Sequence, residues 1–345
     1  MADTPPSPAP RLSLVVLSFR RFETTTGPCL ATLADARVDA RVQLILVDNG
    51  SDDGAAAHCA AYAGANPSVI YLPLSNNLGF GGGMNAGVAA AGGEWACLVN
   101  SDTLFPPGAL PALLATLARV PDDVAMVGPV TNAAGNGQCL RLPDVPIAQV
   151  VDVGAAAMRS VTGLLTPTYR SDFFCIAVRR AAWQQLGGLA PEFGLGYYED
   201  FDFSLRLSKS GHQQVIAEDV FVAHVGSASF AAMGAAQKAL MRKNRALLVK
   251  RHPDARFEPL RAGNAAALRH LLSAATASGW TDALRERAAW RLAALNQDEP
   301  KSPFKRLRWR WGTRDIRRTL AGVGIAAQFP DAPPRDAAAA HRTGP

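Results

Sequence analysis

Cysteine is scarce in this chain, and what there is lies scattered. Cys29, Cys59, Cys97, Cys139 and Cys175 are odd in number and form no CxxC pair. That spacing excludes a disulfide framework and a zinc site, and a reducing, cytoplasmic setting is expected. No run of 18 apolar residues occurs, so no membrane span is expected. The opening "MADTPPSPAP" has neither a basic region nor an apolar run and does not read as a signal peptide. Its prolines predict a disordered tail over 1–10, and a second is predicted over 331–345. Charged residues make up only 19% of the 345 residues against 48% hydrophobic, which suits a large globular core. No internal repeat is present. The length allows one large domain with an extension, or two domains.

What charge there is sits unevenly. The formal net charge is +6, yet residues 301–320, "KSPFKRLRWRWGTRDIRRTL", hold eight Lys/Arg and one Asp, a net of +7. The rest of the chain is therefore close to neutral, and the basic character is local.

The first 130 residues alternate short β-branched runs with Ala-rich stretches. "LSLVVLS" (12–18), "VQLILVD" (42–48), "VIYLPL" (69–74) and "WACLVN" (95–100) read as buried strands. Helical stretches are predicted near 27–37, 54–64, 84–91 and 106–120. This alternation predicts an α/β fold, a Rossmann-like and mainly parallel sheet flanked by helices. Residues 131–170 read as loops and minor elements. "DFFCIAVRR" (172–180) reads as a strand, a helix is predicted from about 198, and 215–230 returns to strand character. From about 232 the chain reads helical, with a break at "RHPDARFEP".

Open parallel sheets bind ligands at the carboxyl ends of their strands. Here those ends read "SFRR", "DNGSDDG", "SNNLGFGGGMNAG" and "NSDT". Asp102 of Asn100-Ser101-Asp102 suits a cation that also holds a diphosphate, or an Asx turn. Asp48 suits a nucleotide, while Asn49-Gly50 and the Ser and Asp that follow also suit turn and cap chemistry. Gly81-Gly-Gly83-Met-Asn-Ala86 fits the dinucleotide pattern G-x-G-x-x-A, but in the third strand–helix turn rather than the first. His224 reads as a core histidine or, with Asp102, as half of a cation site.

"YYEDFDFSLRLSKSGH" (197–212) crowds Glu199, Asp200 and Asp202 among aromatics. Asp202 and Arg206 form an i,i+4 pair, and a helix start favours acids, so a structural account exists for all three. The aromatics point further, because desolvation raises a carboxylate's proton affinity and makes it a better base.

Taken in order, "SFRR", "VDNGSDD", "NLGFGGGMN", "NSDT", "YEDFDFSLRLSKSGH", "HVGS" and "KNRALLVKRHP" (243–253) resemble glycosyltransferase family 2, in its rhamnosyltransferase-like branch. The resemblance covers about 11–255 and implies a GT-A type fold, followed by a helical, basic extension over 256–330. It implies a nucleotide-sugar donor (a UDP- or dTDP-sugar), a divalent cation (Mg2+ or Mn2+) and a glycan or lipid-linked acceptor in surface polysaccharide synthesis. By the same resemblance Asp200 is the catalytic base, with Glu199 as second choice. Asp102 and His224 hold the metal, and Asp48 recognises the nucleotide. Ser18, Phe19, Asn77, Gly79, Gly81, Asn85, Asn100 and Ser101 are the further donor-binding candidates. Asn100 stands where many members carry Asp, which weakens a cation site by one carboxylate.

The reaction implied is an inverting sugar transfer. A sugar-nucleotide nucleotidyltransferase shares the layout and the cation but does not need the 199–200 acids. A dinucleotide-dependent oxidoreductase needs glycines in the first strand–helix turn, where "SFRRFETT" has none. In the +7 stretch, Phe304, Leu307 and Trp311 share one helical face, with Ile316 and Leu320 extending it. Such a helix lies in an anionic membrane surface at the inner face, or packs its apolar side on the domain. Nucleic-acid binding is not expected from one short basic run.

Overall fold

The structure, a computed structural model, describes residues 11–329 apart from 38, 141, 143–145 and 227–233. The tails predicted at 1–10 and 331–345, and the end of the 215–230 stretch, lie outside the described residues.

The apolar runs form the strands expected of them. β1 (Leu12–Ser18), β2 (Val42–Asp48), β3 (Val69–Pro73) and β4 (Trp95–Asn100) pair in the order β3-β2-β1-β4, all parallel. β1 is buried along its whole length, as a strand covered on both faces must be. β5 (Thr103–Leu104) leaves this sheet to pair with β10 (Ala223–His224). β6 (Val124–Val130), β7 (Leu165–Pro167), β8 (Cys175–Arg179) and β9 (Gln213–Phe221) complete eight strands in the order β3-β2-β1-β4-β8-β6-β9-β7. β8 runs antiparallel to both β4 and β6. That reversal positions the site: it brings the start of β8 to the same edge as the end of β4, where Asn100 N–H donates to Phe174 O at 2.8 Å.

Helices cover both faces. α1 (Thr26–Thr32), α2 (Ala55–Ala65) and α4 (Ala109–Leu117) lie N-terminal to β6, with α3 (Gly79–Ala89) between β3 and β4. α5 (Ile147–Ala157), α6 (Arg180–Leu186), α7 (Glu199–Lys209) and α8 (Ala235–Arg251) follow. One core joins Leu30 and Leu113 to one face of the sheet; the other joins Met84, Trp183 and Phe203 to the opposite face.

Residues 131–170, read as loops and minor elements, hold α5 at Ile147–Ala157 and the short β7. The valines and glycine of α5 give poor helix propensity, and burial of Val150, Val153 and Ala157 overrides it. The glycines after β3 do not form a loop: α3 begins at Gly79, and Gly83 and Gly87 bring it down onto the sheet. A Cβ at Gly83 would stand 2.5 Å from Leu17 Cδ1, and one at Gly87 would run into Val15 and stand 2.9 Å from Val47 Cγ2. Gly87→Ala is therefore expected to cost about 1–3 kcal/mol by overpacking, read as a lowered denaturation midpoint.

After the break at 252–259 come α9 (Leu260–Ser278), α10 (Asp282–Gln297), α11 (Pro303–Gly312) and α12 (Arg314–Gly322). Leu268, Leu271, Leu284, Leu292, Ile316 and Leu320 form their common core. Ile316 and Leu320 thus do not extend the apolar face of the basic helix. The chain breaks at Thr313, and both residues belong to α12, fully buried. The bundle is tied to the sheet by a buried ion cluster: Glu218 of β9 meets Arg291 at 2.7 Å and Arg287 at 3.3 Å.

Candidate active site

The carboxyl ends of β2, β1 and β4 share one edge of the sheet, and the loops there are stapled to each other. Arg20 N–H donates to Ser51 Oγ at 2.9 Å, and its guanidinium grips Asp52 at 2.6 and 2.7 Å. Asp48 is buried and accepts from the Ser51 hydroxyl at 2.5 Å. Asn49 holds the next loop: its amide donates to Gly79 O at 3.0 Å and Asn77 Oδ1 at 3.1 Å, and its Oδ1 accepts from Leu78 N–H at 3.0 Å. Phe19 projects from the loop after β1 with the Arg20 guanidinium 5.0 Å from its ring centroid.

The donor-binding candidates around this edge also make contacts within the fold. The Ser18 hydroxyl is fully buried and bonds Thr26 Oγ1 at 2.8 Å. Asn85 clamps Leu189, donating to its carbonyl at 2.8 Å and accepting from its N–H at 2.9 Å. Asn77 accepts from Gly79 N–H at 2.8 Å as a helix-start cap. Gly81 faces Leu189, where a Cβ would stand 3.4 Å from Leu189 Cβ, an ordinary contact, so packing does not require glycine there. Gly79 has φ +72, and a Cβ there would stand 2.7 Å from Leu195 Cα, so its need for glycine is steric. Ser18 and Asn85 thus spend polar atoms inside the fold, while Asn77 stays exposed.

A cavity of about 1110 Å³ opens beyond β4, with Asn100, Asp172, Tyr197, Glu199, Asp200 and His224 in its wall. Asp102 lies in the turn after β4 and Ser101 beside it. The β5–β10 pairing sets Thr103 opposite His224, so the Asp102 carboxylate reaches His224 Nε2 at 3.5 Å. His224 Nδ1 faces Ala133 O at 2.9 Å, which fixes the ring and leaves Nε2 toward Asp102. Burial lowers the proton affinity of His224, but the Asp102 carboxylate outweighs it and the net shift is upward. Gly226 keeps the space in front of the pair open: a Cβ there would collide with Asp102 Oδ2 and stand 2.9 Å from His224 Nε2. One carboxylate, one imidazole and an open position suit a divalent cation that takes its remaining ligands from a diphosphate and water. No group of three or more His, Cys, Asp or Glu able to hold a metal exists among the described residues.

The three acids of α7 separate into two roles. Asp202 is fully buried and paired to Arg206 at 2.7 Å, Arg251 at 2.8 Å and His252 Nε2 at 2.8 Å. Burial raises its proton affinity, but these partners overcome that and hold it below the usual carboxylate range. The i,i+4 pair read from the sequence is present, and "KRHP" supplies the rest.

Among the described residues, Glu199 and Asp200 have no such partners. Glu199 is 5% exposed, and its Oε2 makes no hydrogen bond. Burial, then the neighbouring Asp200 charge, pushes its pKa up to about 8. Asp200 is half-buried; burial, then the charge of Asp172, pushes it up to about 6 against the opposing pull of Arg170. The turn that presents them is strained. Tyr197 and Tyr198 both lie in the left-handed region, at φ +73 and +75. Asn244 of α8 holds it there, donating to Phe193 O, Gly196 O and Tyr197 O at 2.7, 2.8 and 3.2 Å.

Asp172 was not singled out from the sequence. It accepts from Gly135 N–H and sits 3.7 Å from Arg170, and its charge acts on both Asp200 and His224. Its only signal is an acid just before an apolar strand, and the direction of β8, which the sequence does not show, decides that it faces the site.

Residues 13–181 match the sequence model for Glycosyl transferase family 2. They are a family 2 glycosyltransferase domain. The family 2 resemblance read from the motifs is thereby shown, and the mainly parallel, helix-flanked sheet with a helical extension is the architecture it implies. An N-acetylglucosaminyl-diphospho-decaprenol L-rhamnosyltransferase of Mycobacterium tuberculosis is 28% identical over 217 residues, 53% of this chain and 66% of that protein. The match thus spans just under two thirds of that relative's length. The succinoglycan biosynthesis protein ExoO of Rhizobium meliloti is 27% identical over 151 residues, 41% of this chain and 42% of the relative. A mannosyltransferase of Pyrobaculum calidifontis, solved with GDP-Man and Mn2+, aligns at a TM-score of 0.49 and 18% identity, covering 91% of this chain and 86% of its own. No helix among the described residues is long and apolar enough to cross a membrane.

Proposed function

We propose that this family 2 chain moves a sugar from a nucleoside-diphosphate sugar to a hydroxyl of a glycan or lipid-linked acceptor in cell-surface polysaccharide synthesis, inverting the anomeric centre. One observation carries the reading: the strained 197–198 turn holds Glu199 and Asp200 in the wall of a cavity that His224, the partner of Asp102, also lines. With its pKa pushed up to about 6, Asp200 is anionic near pH 7 yet more basic than a free carboxylate. It takes the acceptor's proton as that oxygen bonds to the anomeric carbon. The bond from that carbon to the diphosphate breaks on the opposite face, and its electron pair leaves with the diphosphate. Glu199, pushed up to about 8, keeps its proton near pH 7, and its unpartnered Oε2 has a bond left for substrate.

Asp102 and His224 would hold the divalent cation, Mg2+ or Mn2+, which when bound supplies positive charge to the leaving diphosphate. Asp48 lies at the end of β2, two strands from Asn100 at the end of β4, or about 10 Å at the usual strand spacing. A nucleotide laid along the edge covers such a span, and a carboxylate acceptor suits the imide N–H of uracil or thymine, hence a UDP- or dTDP-sugar. The name of the mycobacterial relative makes a deoxyhexose donor and a prenyl-diphosphate-linked acceptor the first pair to try. The catalytic part is read as 11–255 and the extension as 256–330, working in a reducing compartment beside the membrane that carries the acceptor.

Release of nucleoside diphosphate from a panel of nucleotide sugars tests the reading; silence with every donor, with Mg2+ or Mn2+ and a lipid-linked acceptor present, would sink it. Asp102→Ala is expected to weaken donor binding at least ten-fold in the presence of cation, measured by calorimetry. If a chelator leaves wild-type donor affinity unchanged, the cation assignment is wrong.

A further inference from the structure

α11 carries its aromatic and aliphatic residues on two opposite sides, and only one side is used by the fold. Trp309 packs against the core of the helical bundle, with the Arg261 guanidinium 5.7 Å from its ring centroid. On that side Arg306 donates to Pro300 O and Lys301 O, and Arg310 grips Glu299 at 3.0 Å. These contacts fix the rotation of the helix. They leave Phe304, Leu307 and Trp311, at i, i+3 and i+7, pointing away at 78%, 69% and 75% exposure. No residue of α11 is buried. Three large apolar side chains side by side on one helix, all mostly exposed, are not the scattered singles normal for a soluble surface.

The flanks of this face are basic. Lys305 and Arg308 lie along one edge of it, with Lys301 before the helix and Arg314 and Arg318 in α12; their side chains make no ion pair among the described residues. The acids Glu299 and Asp315 of this region are already paired, Glu299 with Arg310 and Arg317 at 3.0 and 3.1 Å and Asp315 with Arg269 at 3.3 Å.

From this we infer that α11 is a docking surface for an anionic lipid bilayer, with Phe304, Leu307 and Trp311 entering the headgroup–acyl boundary and Lys305, Arg308 and their neighbours meeting lipid phosphates. The occupant follows from the chemistry. An apolar stripe alone would suit a second protein, and a basic run alone would suit a polyanion. A stripe of Phe, Leu and Trp bordered by unpaired Lys and Arg suits an interface that is apolar in depth and anionic at its surface. The assignment deepens the proposed function, since it holds the enzyme on the phase that carries a lipid-linked acceptor. It does not depend on the sugar chemistry.

The test is co-sedimentation of the full chain with vesicles of phosphatidylcholine containing phosphatidylglycerol, and with phosphatidylcholine alone, read without any transfer reaction. Binding is expected to the anionic vesicles at low salt and to fall steeply at high salt. Phe304→Ser with Leu307→Ser and Trp311→Ser, and separately Lys305→Glu with Arg308→Glu, should each weaken it at least ten-fold. Circular dichroism should match wild type in both, because none of these side chains supports the core. Wild-type protein left in the supernatant at low salt overturns the inference. So does equal binding by the triple variant. So does a dimer that the triple variant dissolves, which would assign the face to a second copy. Loss of binding on deleting 330–345 alone would move the contact to that tail and overturn it as well.

Discussion

Asp200→Asn is expected to lower the transfer rate by about 10²–10⁴-fold, the usual contribution of a positioned base, while donor affinity stays within about two-fold. The amide keeps the size of the side chain, and Asp200 makes no ion pair among the described residues that its loss would break, so folding should survive. Glu199→Gln is expected to be milder, because Glu199 already holds its proton near pH 7. In the wild type the acid limb of kcat/KM should fall away below about pH 6, where Asp200 becomes protonated and can no longer accept the acceptor's proton. The sign follows from the role: an essential base is lost as pH falls through its pKa. Asp172→Asn removes a charge that raises the proton affinity of Asp200, so that acid limb should move to lower pH. An unmoved limb in this variant would separate Asp172 from the base, and an active Asp200→Asn beside an inactive Glu199→Gln would exchange the two roles.

Arg291→Ala is expected to be the most destabilising single change outside the active site. Arg291 is fully buried on α10 and donates to Glu218 at 2.7 Å, to Asn264 Oδ1 at 2.8 Å and to Gly137 O at 2.5 Å. Its removal leaves the Glu218 carboxylate with Arg287 and Thr166 only, and breaking a buried pair in this way costs about 3–5 kcal/mol. Burial lowers the proton affinity of Arg287, and the Glu218 charge only partly restores it. The cluster therefore has no spare charge. Chemical denaturation should show the loss of stability. Transfer should fall with it, because Gly137 lies between Asn136 and Gln138, whose side chains bond Asp172 at 3.3 and 2.8 Å. These contacts link the helical extension to Asp172 in the cavity wall. A variant that is less stable but fully active at low temperature would show that these contacts do not govern transfer and keep the structural role.

The sheet was legible because β1, β2 and β4 are short, mostly apolar runs, broken only by Ser13 and Gln43, that end in polar residues, as strands buried on both faces do. α5 was not legible: "IAQVVDVGAAA" has neither cap nor helical propensity, and only packing makes it a helix. The pairing of Asp102 with His224, 122 positions apart in sequence, was one of two readings of His224, the one that the family likeness favoured, and the β5–β10 bridge is its physical cause. Spacing does not show whether a polar side chain serves the fold or a ligand: Asn85, Asn77 and Ser18, donor-binding candidates by the family likeness, each also bond backbone or a neighbouring hydroxyl. Spacing paired Asp202 with Arg206 but did not show which of the three acids at 199–202 lack partners. Burial with partners made Asp202 structural, and burial without them raised the proton affinity of the other two.

The central claim is that Asp200 activates an acceptor hydroxyl for direct displacement of the diphosphate. The most direct test is the anomeric configuration of the product, read by proton NMR during turnover of a nucleotide sugar of known configuration. Inversion at the anomeric carbon, absent in Asp200→Asn, is the result this account requires. Retention of the donor's configuration would mean a different mechanism and would contradict it.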